Sequence, residues 1–443
     1  FDGQSLDYDR QFDAVFVDFP MQQKGSRGKF RVYYDGHPTE AKDPPWKGGF
    51  VWEKDRIGNY WIGVACEGDG ASLWWPNKDH LSDEPDSMSI SVAVPRNLFC
   101  AANGNLRSME DEGDYRRYNW FVSYPINNYN VSVNIADYVH FSDTYIALDS
   151  TELMLDYYVL SYNLETAQKH FQQVHKVLAC FERFFGKYPF WEDGFALIET
   201  PYLGMEHQSG IAYGNEYMRG YLGSLIPYDM NWDYIIVHET GHEYFGNSIS
   251  CNDLSEMWIH ESFTTYMEAL FVECAYSYED AIRQLQRARR LILNREPILG
   301  PKDVNWEDWG GSDHYYKGAW ILHTLRHIIN DDAKWWDLLK GFYEANSLSN
   351  VTTQQFVDYV NTCTGRDFST FFEQYLEYPK IPTFVYELNE TKKGLRLRYK
   401  WEADATGFDM PLLVGKGEPY QMIYPTTQWQ EMIFEDMKAN AFK

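Results

Sequence analysis

A chain of 443 residues exceeds what one core of ordinary size holds, so two or three domains are expected. Its 44% hydrophobic content is that of a globular protein, and no low-complexity tract points to disorder. The formal charge of −26 argues against nucleic acid or anionic lipid as a partner, and no run of about 18 apolar residues is present to span a membrane. The six cysteines (66, 100, 180, 251, 274 and 363) are scattered without a C-x-x-C pair, which disfavours a cysteine-based zinc site. A disulfide is open to them, but spacing alone does not pair them. The sequons at Asn130, Asn350 and Asn389 are close to the number chance provides. A chain beginning at Phe1 rather than Met is expected to be a processed form or a fragment.

In chain order, roughly the first 150 residues read as β. Ile90, Val92 and Val94 alternate with Ser89, Ser91 and Ala93 up to Pro95, and Val131, Val133 and Ile135 alternate with Ser132 and Asn134. Period-two alternation predicts strands with one buried face. Turn residues such as Glu67–Gly70 lie between these runs. From about 160 to 380 the spacing becomes helical, with Phe171, Val174, Leu178 and Phe181, then Ile282, Leu285 and Ile292, three or four residues apart or on one face. Thr352 and Gln355 form a candidate capping box. After Pro379 and Pro382 alternation returns, with Leu395, Leu397, Tyr399 and Trp401 facing one way and Arg396, Arg398 and Lys400 the other.

The chemistry concentrates in the stretch from Trp232 to Asn247, which contains His238-Glu239-Thr-Gly-His242. Ile235–Val237 run into it without a turn signal, and Gly246 is a plausible stop, so a helix is predicted. Residues four apart then share a helix face, about 5–6 Å apart, and two imidazoles can meet one zinc ion. Glu239 follows the first of them, on the side where a water would lie. A catalytic zinc site needs a third protein ligand. Glu261 supplies a carboxylate eighteen residues after His242, in a second apolar-striped segment that also reads as helix. Glu268, two turns further on, is placed to hydrogen-bond a ligand histidine. The alternative for Glu268 is a solvated helix carboxylate. His260 and His314 are pocket or surface residues, because the three-donor set is already complete.

These segments resemble the aminopeptidase N family of gluzincins, which includes the leukotriene hydrolase/aminopeptidase. The family's H-E-x-x-H-x-W-F-G-N and W-L-N-E-G-F-A-T-Y segments match His238–Asn247 and Trp258–Tyr266 with the same eighteen-residue gap. Its G-x-M-E-N motif is similar to Leu203-Gly-Met-Glu206-His207, and its Y-E-K-G motif to Tyr315-Tyr-Lys-Gly318. A looser echo of P-x-x-D-E-P lies in Trp75-Pro76 and Asp83-Glu84-Pro85, so the resemblance covers about residues 60 to 380. It implies a zinc-dependent aminopeptidase holding one Zn²⁺ on His238, His242 and Glu261, with peptides as substrates. Glu239 would be the general base, Tyr315 would donate to the oxyanion, and Glu206 would bind the substrate's free amino group. Glu67, within Ala65-Cys66-Glu67, would be an additional anchor, the alternative being an exposed turn carboxylate. This sequence departs from the family at Leu203, His207, His260 and Ser262, and Ala65 stands where the family has glutamine.

The implied fold is multidomain α+β. It comprises an amino-terminal β domain (1–155), a thermolysin-like α/β zinc catalytic domain (156–380) and a short carboxy-terminal β segment (381–443) that is open to being incomplete. The family's helical carboxy-terminal domain has no counterpart, which leaves open how the cavity is closed. An extracytoplasmic location in a bacterium is expected from the missing Met and the resemblance. The competing readings are a zinc endopeptidase, which has no use for Glu206, and a non-catalytic scaffold retaining the fold.

Overall fold

Alternating residues build the amino-terminal half of the structure, a computed structural model that describes residues 1–306, 308–417 and 419–443. Strand Met88–Pro95 buries Ile90 and Val94 and exposes Ser89, Ser91 and Ala93, as its alternation requires. It pairs antiparallel with Tyr115–Val122, which pairs in turn with Asn105–Glu112. The second alternating run behaves differently. Val133–Ala136 lies inside a four-stranded sheet between Tyr60–Ala65 and Phe99–Ala102, with Gly49–Lys54 outermost. Here Ser132 and Asn134 are as buried as Val131 and Val133, so the expected solvated face is covered. Ser132 meets the cost of burial by donating its backbone N–H to Asn103 Oδ1 at 2.7 Å.

A mixed sheet follows, in the order Tyr138–Ile146, Glu152–Leu160, Phe195–Glu199, Ile211–Tyr213 and Gly204–Met205. The first pair is antiparallel, and the next two pairs are parallel. Parallel neighbours need a crossover, supplied between Leu160 and Phe195 by helices α1 (Leu164–His170) and α2 (Gln173–Phe185). The periodic run from Phe171 is therefore not one helix. Phe171 sits in the break between the two, with Val174, Leu178 and Phe181 buried from α2.

The helical part continues with α3 (Tyr234–His242), α4 (Trp258–Ala275), α5 (Tyr278–Ala288), α6 (Asp313–Ile329), α7 (Asp332–Asn346), α8 (Thr353–Thr364) and α9 (Ser369–Leu376). The Thr352–Gln355 capping box opens α8 as expected. Ile292 falls beyond α5, which ends at Ala288 and passes into one tight turn, so apolar spacing there overshoots the helix. Every residue of α3 is buried, as is α4 from Trp258 to Val272. A helix apolar or buried all round belongs at the centre of a domain rather than on its face. These two helices pack against each other at the heart of the main core. Cys180 of α2 and Cys274 of α4 form a disulfide. Strands Thr383–Thr391, Gly394–Glu402 and Gln430–Phe434 close the chain as a small sheet, with Leu395, Leu397 and Tyr399 in a core of their own and Trp401 in the main one. Among the described residues, no helix is long and apolar enough to cross a membrane.

Candidate active site

Helix α3 begins where Asp233 turns the chain. Its Oδ1 accepts the N–H of Ile236 at 3.2 Å, and its Oδ2 accepts from His170 Nε2 and the Tyr213 hydroxyl, both at 2.7 Å. A cap held from three sides fixes the helix, and the helix fixes the two imidazoles one turn apart. His238 Nε2 and His242 Nε2 are 3.1 Å from each other, and Glu261 Oε2, delivered by α4, is 3.5 and 3.3 Å from them. Donors held tetrahedrally at zinc distances stand about 3.4 Å apart. The protons point the other way. His242 Nδ1 donates to the carbonyl of Phe245 at 3.0 Å, and His238 Nδ1 to Glu268 Oε1 at 2.8 Å. With those tautomers both Nε2 atoms turn lone pairs toward Glu261 Oε2, a buried oxygen with no hydrogen-bond donor among the described residues. Three donor atoms converging at this spacing suit a cation, and the residues fit the zinc ion that the motif implies.

Glu268 is thus a buried partner of His238 rather than a solvated carboxylate. Removing it with Glu268→Ala is expected to weaken zinc binding about 10- to 100-fold, measured by competition with a chromophoric chelator. An unchanged affinity would show that the bond contributes nothing to metal retention.

Glu239, only 5% exposed, lies beside the approaching strand at Gly204. A Cβ at position 204 would stand 2.9 Å from Glu239 Oε1, so the glycine is what lets strand and carboxylate meet. Carboxylate and imidazole atoms of Glu206, Glu239 and His242 lie within 4.8 Å of one another, as do those of Glu67, Glu206 and Glu261. Four buried glutamates thus face one small space. Burial pushes the Glu239 carboxyl up to about 8, with His238 and His242 opposing and Glu206 and Glu261 reinforcing. Burial and the charges of Glu206 and Glu261 likewise raise Glu67 well above the ordinary range. Crowding of this kind is relieved by cations, whether a metal or a substrate ammonium group. Glu67 is buried, not an exposed turn residue.

Glu206 is held from both ends. Its Oε1 accepts the Tyr129 hydroxyl at 3.0 Å, and its backbone carbonyl accepts from Asn247 Nδ2 at 2.7 Å. Behind Tyr129 stands His260, whose Nε2 accepts the backbone N–H of Cys251 at 2.7 Å. That bond leaves the proton on Nδ1, 3.5 Å from the Tyr129 oxygen. His260 is thus an interior residue that steadies Tyr129, and His314 is likewise buried, stacked on Trp309. His207 is buried, with neither ring nitrogen hydrogen-bonded among the described residues.

Tyr315, in the first turn of α6, lies with its ring 6.2 Å from that of His238 and its hydroxyl toward Glu261. Two features seat that turn. Lys317 Nζ donates to the carbonyls of Tyr378 and Pro379 at 3.1 and 2.9 Å. Gly318 permits contact with α4, since a Cβ there would fall 1.6 Å from Ser262 Oγ. Ser262, one of the departures, is used: its hydroxyl donates to the His314 carbonyl at 2.6 Å and so ties α4 to α6.

Comparison with known proteins bears on the fold and the family likeness. The peptidase family M1 domain matches residues 162–375. The chain is a distant homologue of the M1 zinc metallopeptidases. Aminopeptidase N of Lactococcus lactis subsp. lactis is 24% identical over 35% of this chain and 19% of its own length. Probable aminopeptidase 1 of Sulfurisphaera tokodaii is 21% identical over 74% of this chain and 42% of its own. The chain therefore spans less than half the length of these curated relatives. In fold it is similar to a variant of the Deinococcus radiodurans M1 zinc metallopeptidase bound to a Tyr-Ser-Ala substrate, with a TM-score of 0.69, 21% identity and coverage of 86% of this chain and 84% of that one. That likeness bears out the fold of amino-terminal sheets, helical catalytic part and carboxy-terminal strands.

The matched M1 domain spans His238, His242, Glu261, Glu239, Glu206 and Tyr315, whereas Glu67 and Tyr129 come from connections between the strands before it. Tyr129, Asn247 and His260 were not singled out from the sequence as partners of Glu206. Asn247 carried a signal, as the last residue of the zinc segment. Tyr129 carried none, being one of 34 tyrosines.

Proposed function

We propose that this M1 homologue is a zinc-dependent aminopeptidase that removes residues from the amino termini of peptides. The observation that carries the proposal is the adjoining of two cation sites: the three convergent donor atoms of His238, His242 and Glu261, and the Glu67–Glu206 carboxylate pair within 4.8 Å of Glu261. A zinc ion, when bound, supplies a Lewis acid that polarises the scissile carbonyl and acidifies water. The remaining work falls to side chains of the chain itself. Glu206, kept in place by Tyr129 and Asn247, and Glu67 beside it receive the substrate's α-ammonium group, which sets the first peptide carbonyl over the metal ligands. Glu239 accepts a proton from the attacking water and delivers it to the leaving amine. The Tyr315 hydroxyl donates to the carbonyl oxygen as negative charge develops there.

Cleavage of a free peptide compared with its amino-acetylated form tests this reading. The free form is expected to be hydrolysed and the blocked form to resist. Glu206→Ala should raise KM for free-amine substrates while leaving any hydrolysis of blocked peptides unchanged. Equal rates on the two peptides would favour a zinc endopeptidase instead.

An extracytoplasmic location accompanies the proposal. The Cys180–Cys274 disulfide supports it, because such bonds persist in oxidising compartments. Denatured, unreduced protein from such a compartment should then titrate as four free thiols, at Cys66, Cys100, Cys251 and Cys363. Six thiols would contradict it.

A further inference from the structure

Helix α6 carries a second pair of histidines one turn apart, His323 and His327, far along the helix from Tyr315. Their relation to each other repeats that of the pair on α3. The His323 and His327 ring centroids are 4.7 Å apart at an interplanar angle of 82°, against 4.7 Å and 86° for His238 and His242. The Nε2 atoms approach to 3.2 Å, against 3.1 Å in the first pair. A third donor is present, since the Tyr278 hydroxyl of α5 lies 3.1 Å from His327 Nε2. We propose that His323 and His327, with the Tyr278 hydroxyl beside them, bind a second divalent transition-metal ion of the imidazole-seeking kind, such as zinc or copper(II).

The donors are available for it. His323 is buried one helical turn before His327, with its Nε2 turned toward that of its neighbour. His323 Nδ1 has no hydrogen-bond partner among the described residues, so no hydrogen bond at that atom competes for this ring. His327 is exposed, which gives an ion a route in from solvent. The nearby cation is already neutralised: Arg326 forms paired bonds to Glu273, at 2.7 and 3.0 Å, and to Asp332, both at 2.9 Å. The same pairing removes both carboxylates from the donor set. Two imidazoles and a phenol without a carboxylate, and with no acceptor behind His323, make a weaker site than the first, by roughly 10- to 100-fold.

The proposal stands apart from the peptidase reading. Zinc titration of chelator-stripped protein against a competing chromophoric chelator tests it, in the wild type and in His327→Ala, where the exposed side chain can be lost without disturbing the core. Two equivalents are expected in the wild type, the second at least about tenfold weaker. In His327→Ala the weaker equivalent is lost and the tighter one is unchanged. One wild-type equivalent that disappears with His327→Ala would still support the pair, and would count against the site on His238, His242 and Glu261. One wild-type equivalent retained in His327→Ala, or two retained with unaltered affinities, would overturn the proposal and leave an N–H···N hydrogen bond between the rings.

Discussion

Glu239→Gln protein is expected to hold its zinc and to turn over about 10²- to 10⁴-fold more slowly, with little change in KM. The glutamine keeps the size and shape of the side chain beside Gly204, so packing there survives. What it loses is basicity. Glu239 shares its space with Glu206, Glu261 and the two imidazoles, and burial with that negative surrounding raises its affinity for a proton. A bound dication pulls in the opposite direction, leaving a carboxylate able to take a proton from water and to give it up to an amine. Glutamine does neither. None of the three donor atoms belongs to residue 239, so the metal should remain, as measured by metal analysis of the same preparation. Near-wild-type turnover would remove Glu239 from the chemistry, and loss of zinc would make its role structural.

Tyr315→Phe should lower kcat by about 10²- to 10³-fold at nearly constant KM, the cost of one donor to a developing oxyanion. The ring beside His238 is retained, as are the Lys317 and Gly318 contacts that seat the start of α6. Only the hydroxyl is removed, and it points to the Glu261 side of the metal site. Burial and the carboxylates around it raise the Tyr315 phenol well above its ordinary range, so it donates a hydrogen bond without losing its proton. A change confined to KM would place the hydroxyl in ground-state binding instead.

The cluster of His238, His242 and Glu261 was legible because its information is local. His238 and His242 are one helical turn apart, and Glu261 follows at a fixed spacing on the next helix, so two short segments suffice. The partnership of Glu268 with His238 was foreseeable only as one of two options, because a helix position does not reveal what covers it. Glu206, Tyr315 and Glu67 became visible through resemblance, not through any pattern in this chain. The Tyr129–His260 support of Glu206 joins residues 131 apart, and the Cys180–Cys274 bond joins residues 94 apart. Such pairings belong to the tertiary fold, and neither periodicity nor spacing records them. The same limit explains the misread details. Apolar spacing continued through Phe171 and past Ala288 because core-facing residues continue after the helix hydrogen bonds stop. Ser132 and Asn134 looked solvent-facing because alternation assumes one open face, whereas both of these positions are covered.

The decisive measurement is release of p-nitroaniline from a panel of amino-acid p-nitroanilides by metal-analysed protein, with and without a zinc chelator. An aminopeptidase built on His238, His242 and Glu261 should release it in a chelator-sensitive manner and lose that activity when either histidine is replaced. Release that persists in chelator-stripped protein, or in the histidine variants, would contradict a zinc aminopeptidase at this site.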